Sequence, residues 1–286
     1  MLIRIGYDVR FDVPLPVAMV GMLHVHPSRC GDLLGDDDVS ADPPLEIETY
    51  IDGFGNRCSR FVVPQGTIRL SNDTVIQDSG QPDPVRIDAQ EHPVGELPTD
   101  TLQYLLNSRY CEVDRLSNVA VELFGQYPPG WSRVGAICGW VHSKVAFGYH
   151  FARPTKTALD VFTERQGVCR DFQHLAITFC RALNIPARYA TGYLGDIQVP
   201  LSDTPMDFSA WFEVYLSNRW WTFDARHNHP RVGRVLMAVG RDASDVAITT
   251  SFGLANLSHF TVISEEVSEE YLKEHALSRQ PRTIAE

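Results

Sequence analysis

The 286-residue sequence lacks the features that mark two large functional classes. Its net charge is −11, so it has no excess of basic residues from which to build a broad nucleic-acid-binding surface. No stretch is both apolar enough and long enough to span a bilayer. The segment Met1 to Asp8 contains an acidic residue, and no long apolar run follows it. A signal peptide would have such a run. We therefore expect a cytoplasmic protein that binds neither nucleic acid nor membranes.

Sequence patterns for metal binding are also missing. The six cysteines form no Cys-x-x-Cys pair, and no Asp-x-Asp-x-Asp-Gly pattern supports a calcium site. His24 and His26 alternate onto one face of a predicted strand, but two histidines without a third ligand are weak support for a metal. We expect reduced, mostly buried thiols, with no metal and no cofactor.

The chain divides into four parts by composition and pattern. Residues 1–80 contain short apolar runs separated by turn signals, which predicts an N-terminal β-sandwich-like domain. Residues 81–99 are rich in proline and lack periodicity, so they are predicted to be a linker. Residues 100–264 have helical patterns followed by strand patterns, which predicts an α+β core. The charged residues 265–286 are predicted to be a solvated helix or tail.

The most informative segment is a predicted helix that begins at Cys169. Gly167 breaks the chain before it, and apolar residues then recur at helical spacing from Phe172 to Leu183. Cys169 belongs to this inner face in the first turn, whereas His174 falls on the polar side. Unpaired amides and the positive end of the helix dipole favour a thiolate there, which is the nucleophilic form. Most free cysteines are nevertheless buried and inert, which is the simpler interpretation of this position.

A predicted β-hairpin follows, with strands at 207–216 and 219–224. If Leu216 pairs with Arg219, then Ser209 is diagonal to Asp224, at roughly 7–8 Å between Cα atoms. Positions 209 and 224 can therefore point into one site, and that site contains a carboxylate.

These segments, in this order, resemble the transglutaminase-like superfamily, whose core is a circularly rearranged relative of papain. The run Gly-Val-Cys-Arg-Asp-Phe at 167–172 resembles its nucleophile helix, and the strands at 210–215 and 221–224 resemble its histidine and aspartate strands. The resemblance covers about residues 130–240, and the N-terminal β region resembles the β domain of bacterial members. It implies a papain-type core with the nucleophile helix packed on an antiparallel sheet. It also implies that Cys169 is the nucleophile and that Asp224 orients the histidine.

The histidine of the family pattern is missing from this sequence. It should immediately precede Ala210, where Ser209 stands, and a hydroxyl cannot act as acid or base near neutral pH as imidazole can. His227 follows the Asp224 strand and is a candidate substitute base, although an ordinary loop histidine is the simpler interpretation. His150 is a second candidate, since it lies near the segment that lines the cleft in relatives. A third arrangement has Ser209 and Asp224 holding a water, which would serve amide cleavage least well.

The sequence therefore supports two functions. The first is a thiol acyl-transfer enzyme that acts on peptide or side-chain amides, or esters, of a protein or peptide through an acyl-Cys169 intermediate, with hydrolysis favoured over crosslinking. The second is a non-catalytic binding module that holds a peptide-like ligand. The missing histidine favours the second, whereas the retention of Cys169 and Asp224 opposes it. We expect Trp211, Tyr149 and Trp221 to line the substrate cleft, with core packing as the competing interpretation of the tryptophans.

Overall fold

The computed structural model describes residues 1–202 and 205–275, which form antiparallel sheets and a helical layer. The strands are β1 (Leu2–Val13), β2 (Val17–Gly21), β3 (Ser40–Asp42), β4 (Glu48–Ile51), β5 (Arg57–Val63), β6 (Gly66–Gln77), β7 (Ala146–Phe147), β8 (Gln166–Gly167), β9 (Ala187–Leu194), β10 (Ser209–Leu216), β11 (Arg219–Phe223), β12 (Arg234–Gly240), β13 (Thr249–Ser251) and β14 (Asn256–Val267). The helices are α1 (Val113–Phe124), α2 (Trp131–Lys144), α3 (Ala158–Glu164), α4 (Cys169–Ala182) and α5 (Glu269–Glu274), with short 3-10 helices at Pro27–Asp32, Val94–Glu96, Thr99–Leu105 and Tyr149–Phe151. In these described ranges, no helix is long and apolar enough to cross a membrane.

The six N-terminal strands, together with β13 and β14 from the end of the chain, form the predicted β-sandwich. One sheet has the order β14-β1-β6-β3 and the other has the order β13-β2-β5-β4. Apolar side chains from the two sheets, such as Ile5 of β1, Met19 of β2 and Phe61 of β5, share one buried cluster. The alternation of buried and exposed residues along these strands is what places these side chains between the sheets.

The last part of the chain belongs to this sandwich and is not a tail. Strand β14 pairs with β1 over its length, from Leu2 opposite Val267 to Asp12 opposite Asn256. The predicted boundary at residue 264 therefore falls inside a strand, and residues 265–267 belong to β14, whereas the predicted solvated helix is present as the mostly exposed α5. Residues 276–286 lie outside the described residues. The error arose because pairing between strands some 250 residues apart has no local sequence signal.

The predicted linker is held against the core. The Asp83 carboxylate accepts hydrogen bonds from the Arg231 backbone N–H at 2.8 Å and from Arg234 Nε at 2.9 Å. Ala89 is buried, and its carbonyl accepts the backbone N–H of Trp131 at 3.0 Å. These contacts fix residues 81–99 in place, so a free linker is the wrong description.

The core places helix α4 at its centre. Helices α1, α2 and α3 pack on α4, as do strands β9 and β10 of the antiparallel sheet β11-β10-β9-β12. This confirms the predicted packing of the helix that begins at Cys169 on an antiparallel sheet. The predicted hairpin register is also confirmed, since Leu216 pairs with Arg219.

Helix α4 is buried on nearly every side, so the predicted polar face is wrong. Gln173 and His174 have no solvent exposure, and Arg181 is 2% exposed. The Arg181 guanidinium is satisfied internally, because it donates to the carbonyls of Ala187 and Leu106. The polar residues of α4 thus serve as buried hydrogen-bonding groups between helices and sheet.

The packing of α5 gives a testable difference from a solvated tail. Leu272 is 5% exposed and packs against Leu2 and Val75. We expect Leu272→Ala to lower the free energy of unfolding by about 2 kcal/mol, because it leaves a cavity in this cluster. The matched control is Glu270→Ala on the exposed side of the same helix, which should change stability by about 0.5 kcal/mol or less. Urea titration of both variants checks this, and equal stabilities would contradict the packing of α5.

Candidate active site

Cys169 stands at the first position of helix α4. Strand β8 leads into it, and the backbone N–H of Val168 donates to Asp171 Oδ2 at 3.0 Å, which caps the helix start. Gly167 is required by close approach, because a Cβ at this position would lie 2.6 Å from the Asp171 Cβ. The local sequence therefore fixes the direction in which α4 starts, and with it the position of the cysteine.

The Cys169 thiol is harder to ionise than the sequence suggested. Burial raises its pKa to about 11, which outweighs the opposing effects of the Arg226 guanidinium and of the Arg170 backbone N–H hydrogen-bonded to the sulfur. Asp207 and Asp224 raise this pKa further. Cys169 keeps partial solvent exposure, so reagents can reach it, but the helix end alone does not make it a thiolate. Chemistry at this sulfur needs a base.

Asp224 is a buried, ionised carboxylate directly after β11. Burial would raise its pKa, but Arg234 and His227 outweigh burial and hold the pKa well below its usual range. Its Oδ2 accepts Arg234 Nη2 at 2.9 Å, and its Oδ1 accepts Gln173 Nε2 at 3.1 Å and the Arg226 backbone N–H at 2.9 Å. These contacts tie α4, β12 and the turn after β11 to one carboxylate.

His227 is the imidazole that Asp224 holds. Its Nδ1 lies 2.8 Å from Asp224 Oδ2, and its backbone N–H donates to Asp224 Oδ1 at 3.1 Å. Because an ionised carboxylate only accepts hydrogen bonds, Nδ1 carries the proton, which leaves Nε2 as the basic nitrogen. The His227 side chain is 20% exposed and lines the same cavity as Cys169 and Ser209. The contact with Asp224 is a local hydrogen bond within the turn, which fits both the loop histidine and the substitute base considered from the sequence.

Ser209 begins strand β10 and is 8% exposed. It pairs with Gly192 of β9 and lines both cavities that contain Cys169. Ser209 therefore lines the same two cavities as Cys169, whereas Asp224 lines neither of them.

Two cavities meet at Cys169, and together they form the cleft. They share Tyr149, Asp207, Phe208 and Ser209. The smaller, of about 70 Å³, contains His227 and has charged walls. The larger, of about 490 Å³, has mostly apolar walls.

Two of the three predicted cleft residues lie elsewhere. Tyr149 lines both cavities, as predicted. Trp221 is 5% exposed, donates Nε1–H to the Leu216 carbonyl at 2.9 Å and packs in the core. Trp211 is 2% exposed and lies below the Arg234 guanidinium, 5.1 Å from the ring centroid. The tryptophan predictions are therefore wrong, because large aromatic rings at these strand positions fill the interior.

The other histidines are not placed to serve Cys169. His150 is exposed, its ring packs on Phe151 at 3.9 Å between centroids, and it lines neither cavity. His174 Nε2 accepts the Ala243 backbone N–H at 3.1 Å, and burial lowers its pKa to about 3. His24 bonds to the Asp37 carbonyl and the Ser59 hydroxyl inside the sandwich.

Sequence reasoning missed three residues that build the site. Gln173 was assigned to a solvated face, yet its spacing of four from Cys169 puts the two on one side of the helix. Arg226 precedes His227 in the turn and lines the same cavity as Cys169. Its positive charge lowers the pKa of the Cys169 thiol. Arg234 gave no local signal, because its contact with Asp224 depends on the sheet order.

Comparison with known proteins connects this site to one family. The family model of the transglutaminase-like superfamily matches residues 117–225, a range that includes Cys169, Ser209 and Asp224 but ends before His227. A solved structure of a candidate cysteine protease from Cytophaga hutchinsonii is 32% identical, covers 94% of this chain and 91% of its own, and superposes with a TM-score of 0.81.

Two mycobacterial proteins of uncharacterized function are also similar. One, from Mycobacterium leprae, is 25% identical over 216 residues, with 73% of this chain and 77% of that protein covered. The other, from Mycobacterium tuberculosis H37Rv, is 24% identical over 228 residues, with 73% of each chain covered.

The charge of Arg226 gives a test of the electrostatics around Cys169. Replacing the guanidinium in Arg226→Gln removes a cation that favours the thiolate, so the pKa of Cys169 should rise. Labelling of Cys169 by iodoacetamide at pH 9 should then be roughly threefold or more slower, measured by peptide mass spectrometry. The matched control is Arg115→Gln, an exposed arginine of α1, which should label like the wild type. Unchanged labelling of the Arg226 variant would show that this cation does not act on the sulfur.

Proposed function

This chain belongs to the transglutaminase-like superfamily, and on that premise we propose that it is a thiol acyl-transfer enzyme. Cys169 is the nucleophile, His227 is the base and acid, and Asp224 orients the imidazole. The substrates are amide or ester bonds of a peptide or protein, and hydrolysis is favoured over crosslinking. The resemblance to a candidate cysteine protease over nearly the whole chain supports the hydrolytic direction.

The observation that carries this proposal is the 2.8 Å contact between His227 Nδ1 and Asp224 Oδ2, made by a histidine that shares a cavity with Cys169. In thiol enzymes, the nucleophile, the base and the orienting group are recognised by their geometry and not by their order in the chain. The base here would come from the turn after β11 instead of from the start of β10. The raised pKa of Cys169 supports the need for such a base.

Cys169, His227 and one water molecule account for every bond and proton in the proposed reaction. His227 Nε2 takes the thiol proton as the Cys169 sulfur attacks the carbonyl carbon and a C–S bond forms. The imidazolium returns the proton to the leaving nitrogen or oxygen as its bond to carbon breaks, which leaves a thioester on Cys169. Water then attacks the thioester carbonyl and gives one proton to His227. The C–S bond breaks, the acid is released, and His227 returns the proton to the Cys169 sulfur, which restores the free thiol. A protonated imidazole can serve an amine leaving group, which a held water would serve poorly.

One observation favours the second function, a binding module without turnover. Burial raises the pKa of Cys169 to about 11, as it does for an inert structural thiol such as Cys111. If His227 does not reach the sulfur, Cys169 remains protonated and the cleft only binds. Kinetics of a single variant separate the two functions.

Replacement of His227 tests its assigned role. We expect His227→Ala to lower kcat/KM for a p-nitrophenyl ester and for a fluorogenic peptide amide by about 10²- to 10⁴-fold, because the base and acid are lost. Added imidazole should restore part of the activity in this variant but none in Cys169→Ser. The matched control is His229→Ala in the same turn, which should stay within about threefold of the wild type.

Two outcomes would contradict the assignment in different ways. Full activity of His227→Ala, with Cys169→Ser inactive, would place the base elsewhere. Wild-type protein no faster than Cys169→Ser on both substrates would favour the binding module. Circular dichroism and thermal melting of each variant confirm that the fold is kept.

The serine at the family histidine position gives a second test. We expect Ser209→His not to exceed wild-type activity, because His227 already occupies the Asp224 oxygen and position 209 is buried. In the double variant Ser209→His, His227→Ala, the imidazole that contacts Asp224 Oδ2 is removed, and activity should recover above that of His227→Ala alone. Ser209→Ala serves as the size-matched control. An increase of about tenfold or more in the single Ser209→His variant would mean that the wild type lacks an effective base.

A further inference from the structure

The cleft has two unequal sides at Cys169. We call the larger cavity the apolar lobe; its walls include Tyr110, Tyr189, Ala247, Ile248 and Phe260. We call the smaller cavity the polar lobe; its walls include Asp196, Arg226, His227 and Arg231. The volumes differ strongly, at about 490 and about 70 Å³.

The position of His227 assigns a direction to the substrate, and this step rests on the function proposed above. The imidazole that takes the thiol proton must later give it to the leaving group, so the leaving group lies beside His227. His227 lines the polar lobe and not the apolar lobe. The acyl side of the substrate must then extend from Cys169 into the apolar lobe.

We propose that the enzyme selects substrates with a bulky apolar acyl group and a small polar leaving group. The acyl group binds in the apolar lobe, where burial of its surface provides the binding energy. A charged acyl group would be disfavoured there, because it would lose hydration without gaining a partner.

The charges at the apolar lobe do not contradict this assignment. Arg170 lies at its edge and is engaged by Asp171 Oδ1 at 3.1 Å and by the Arg153 carbonyl at 3.0 Å. Asp207 lies where the two lobes meet and interacts with Arg226 of the polar lobe. The walls beyond these two residues carry aromatic, aliphatic and small polar side chains.

The β-sandwich contributes to the apolar lobe. Phe260 lies on β14, opposite Val9 of β1, and its ring is 5.9 Å from that of Phe208 in an edge-to-face contact. Phe260 is 38% exposed, so an apolar ligand in the lobe can contact its ring. On this proposal the β-sandwich, through β14, supplies part of the acyl specificity of the core.

Alkylation of Cys169 tests the lobe without requiring turnover. The probes are iodoacetamide and its N-phenyl derivative, compared on full-length protein by peptide mass spectrometry, with glutathione as the reference thiol. We expect the ratio of the labelling rates, phenyl reagent over iodoacetamide, to be about tenfold or more higher for Cys169 than for glutathione. Transfer of a phenyl ring from water into the lobe accounts for a gain of this size. The same preference should appear in kcat/KM for primary amides of phenylacetic over succinic acid, whose shared leaving group is small and polar.

Two variants address the lobe itself. Ala247→Phe fills it and should abolish the preference for the phenyl reagent over iodoacetamide. Phe260→Ala removes an exposed wall residue without filling the lobe and should lower the preference for the phenyl reagent. This variant provides the test if Ala247→Phe does not fold. Ala18→Phe, an exposed alanine of β2 outside both lobes, is the matched control and should keep the preference.

The outcomes separate this inference from the proposed function. No preference beyond that of glutathione, or a preference unchanged in both lobe variants, overturns the inference even if the protein hydrolyses esters. A preference at Cys169 that both lobe variants lower, in a protein without turnover, supports the apolar lobe and overturns the proposed function instead.

Discussion

The buried charge of Asp224 is the constraint on which the site depends. A carboxylate removed from water is costly unless each oxygen is compensated by charge and by hydrogen bonds. Arg234 provides the charge, and Gln173, His227 and backbone amides provide the hydrogen bonds. Loss of any one partner would leave an uncompensated group in the interior. The helix that carries Cys169 is therefore held in one position relative to the turn that carries His227.

Gln173 couples the nucleophile helix to the carboxylate. Its amide nitrogen donates to Asp224 and to the Ala210 carbonyl, and its amide oxygen accepts the Ala225 backbone N–H. One side chain, four residues after Cys169, thus contacts β10 and the turn after β11. Gln173 must be buried to make these contacts, and it has no solvent exposure.

Local patterns predicted the parts of the site that depend on local geometry. The start of α4 at Cys169 followed from helical spacing, and the pairing of Leu216 with Arg219 followed from the two-residue turn. The role of Trp211 could not be predicted, because the same strand pattern fits a core residue and a cleft residue. The contact between Arg234 and Asp224 depends on which strand lies next to β9, and that order is not encoded in any short segment.

The C-terminal strand shows the same limit in the fold. Strand β14 carries the exposed Phe260 and has little of the apolar alternation that marks a buried strand. Its place is determined by the edge of β1, which would otherwise present unpaired amides and carbonyls. Phe260 therefore reaches the cleft through a pairing between the two ends of the chain, and composition alone assigned the last residues of β14 to a tail.

The raised pKa of Cys169 fits a site in which proton transfer and attack are coupled. Because burial raises the pKa of Cys169 to about 11, the thiol is protonated at neutral pH. Such a thiol resists alkylation and oxidation at rest, since both reactions require the thiolate. On the proposed mechanism, His227 removes the proton only when an acyl group is in place. The burial that keeps the thiol protonated would also exclude water and strengthen the hydrogen bond between Asp224 and His227. The same buried environment therefore makes the resting thiol unreactive and makes its activation depend on the imidazole.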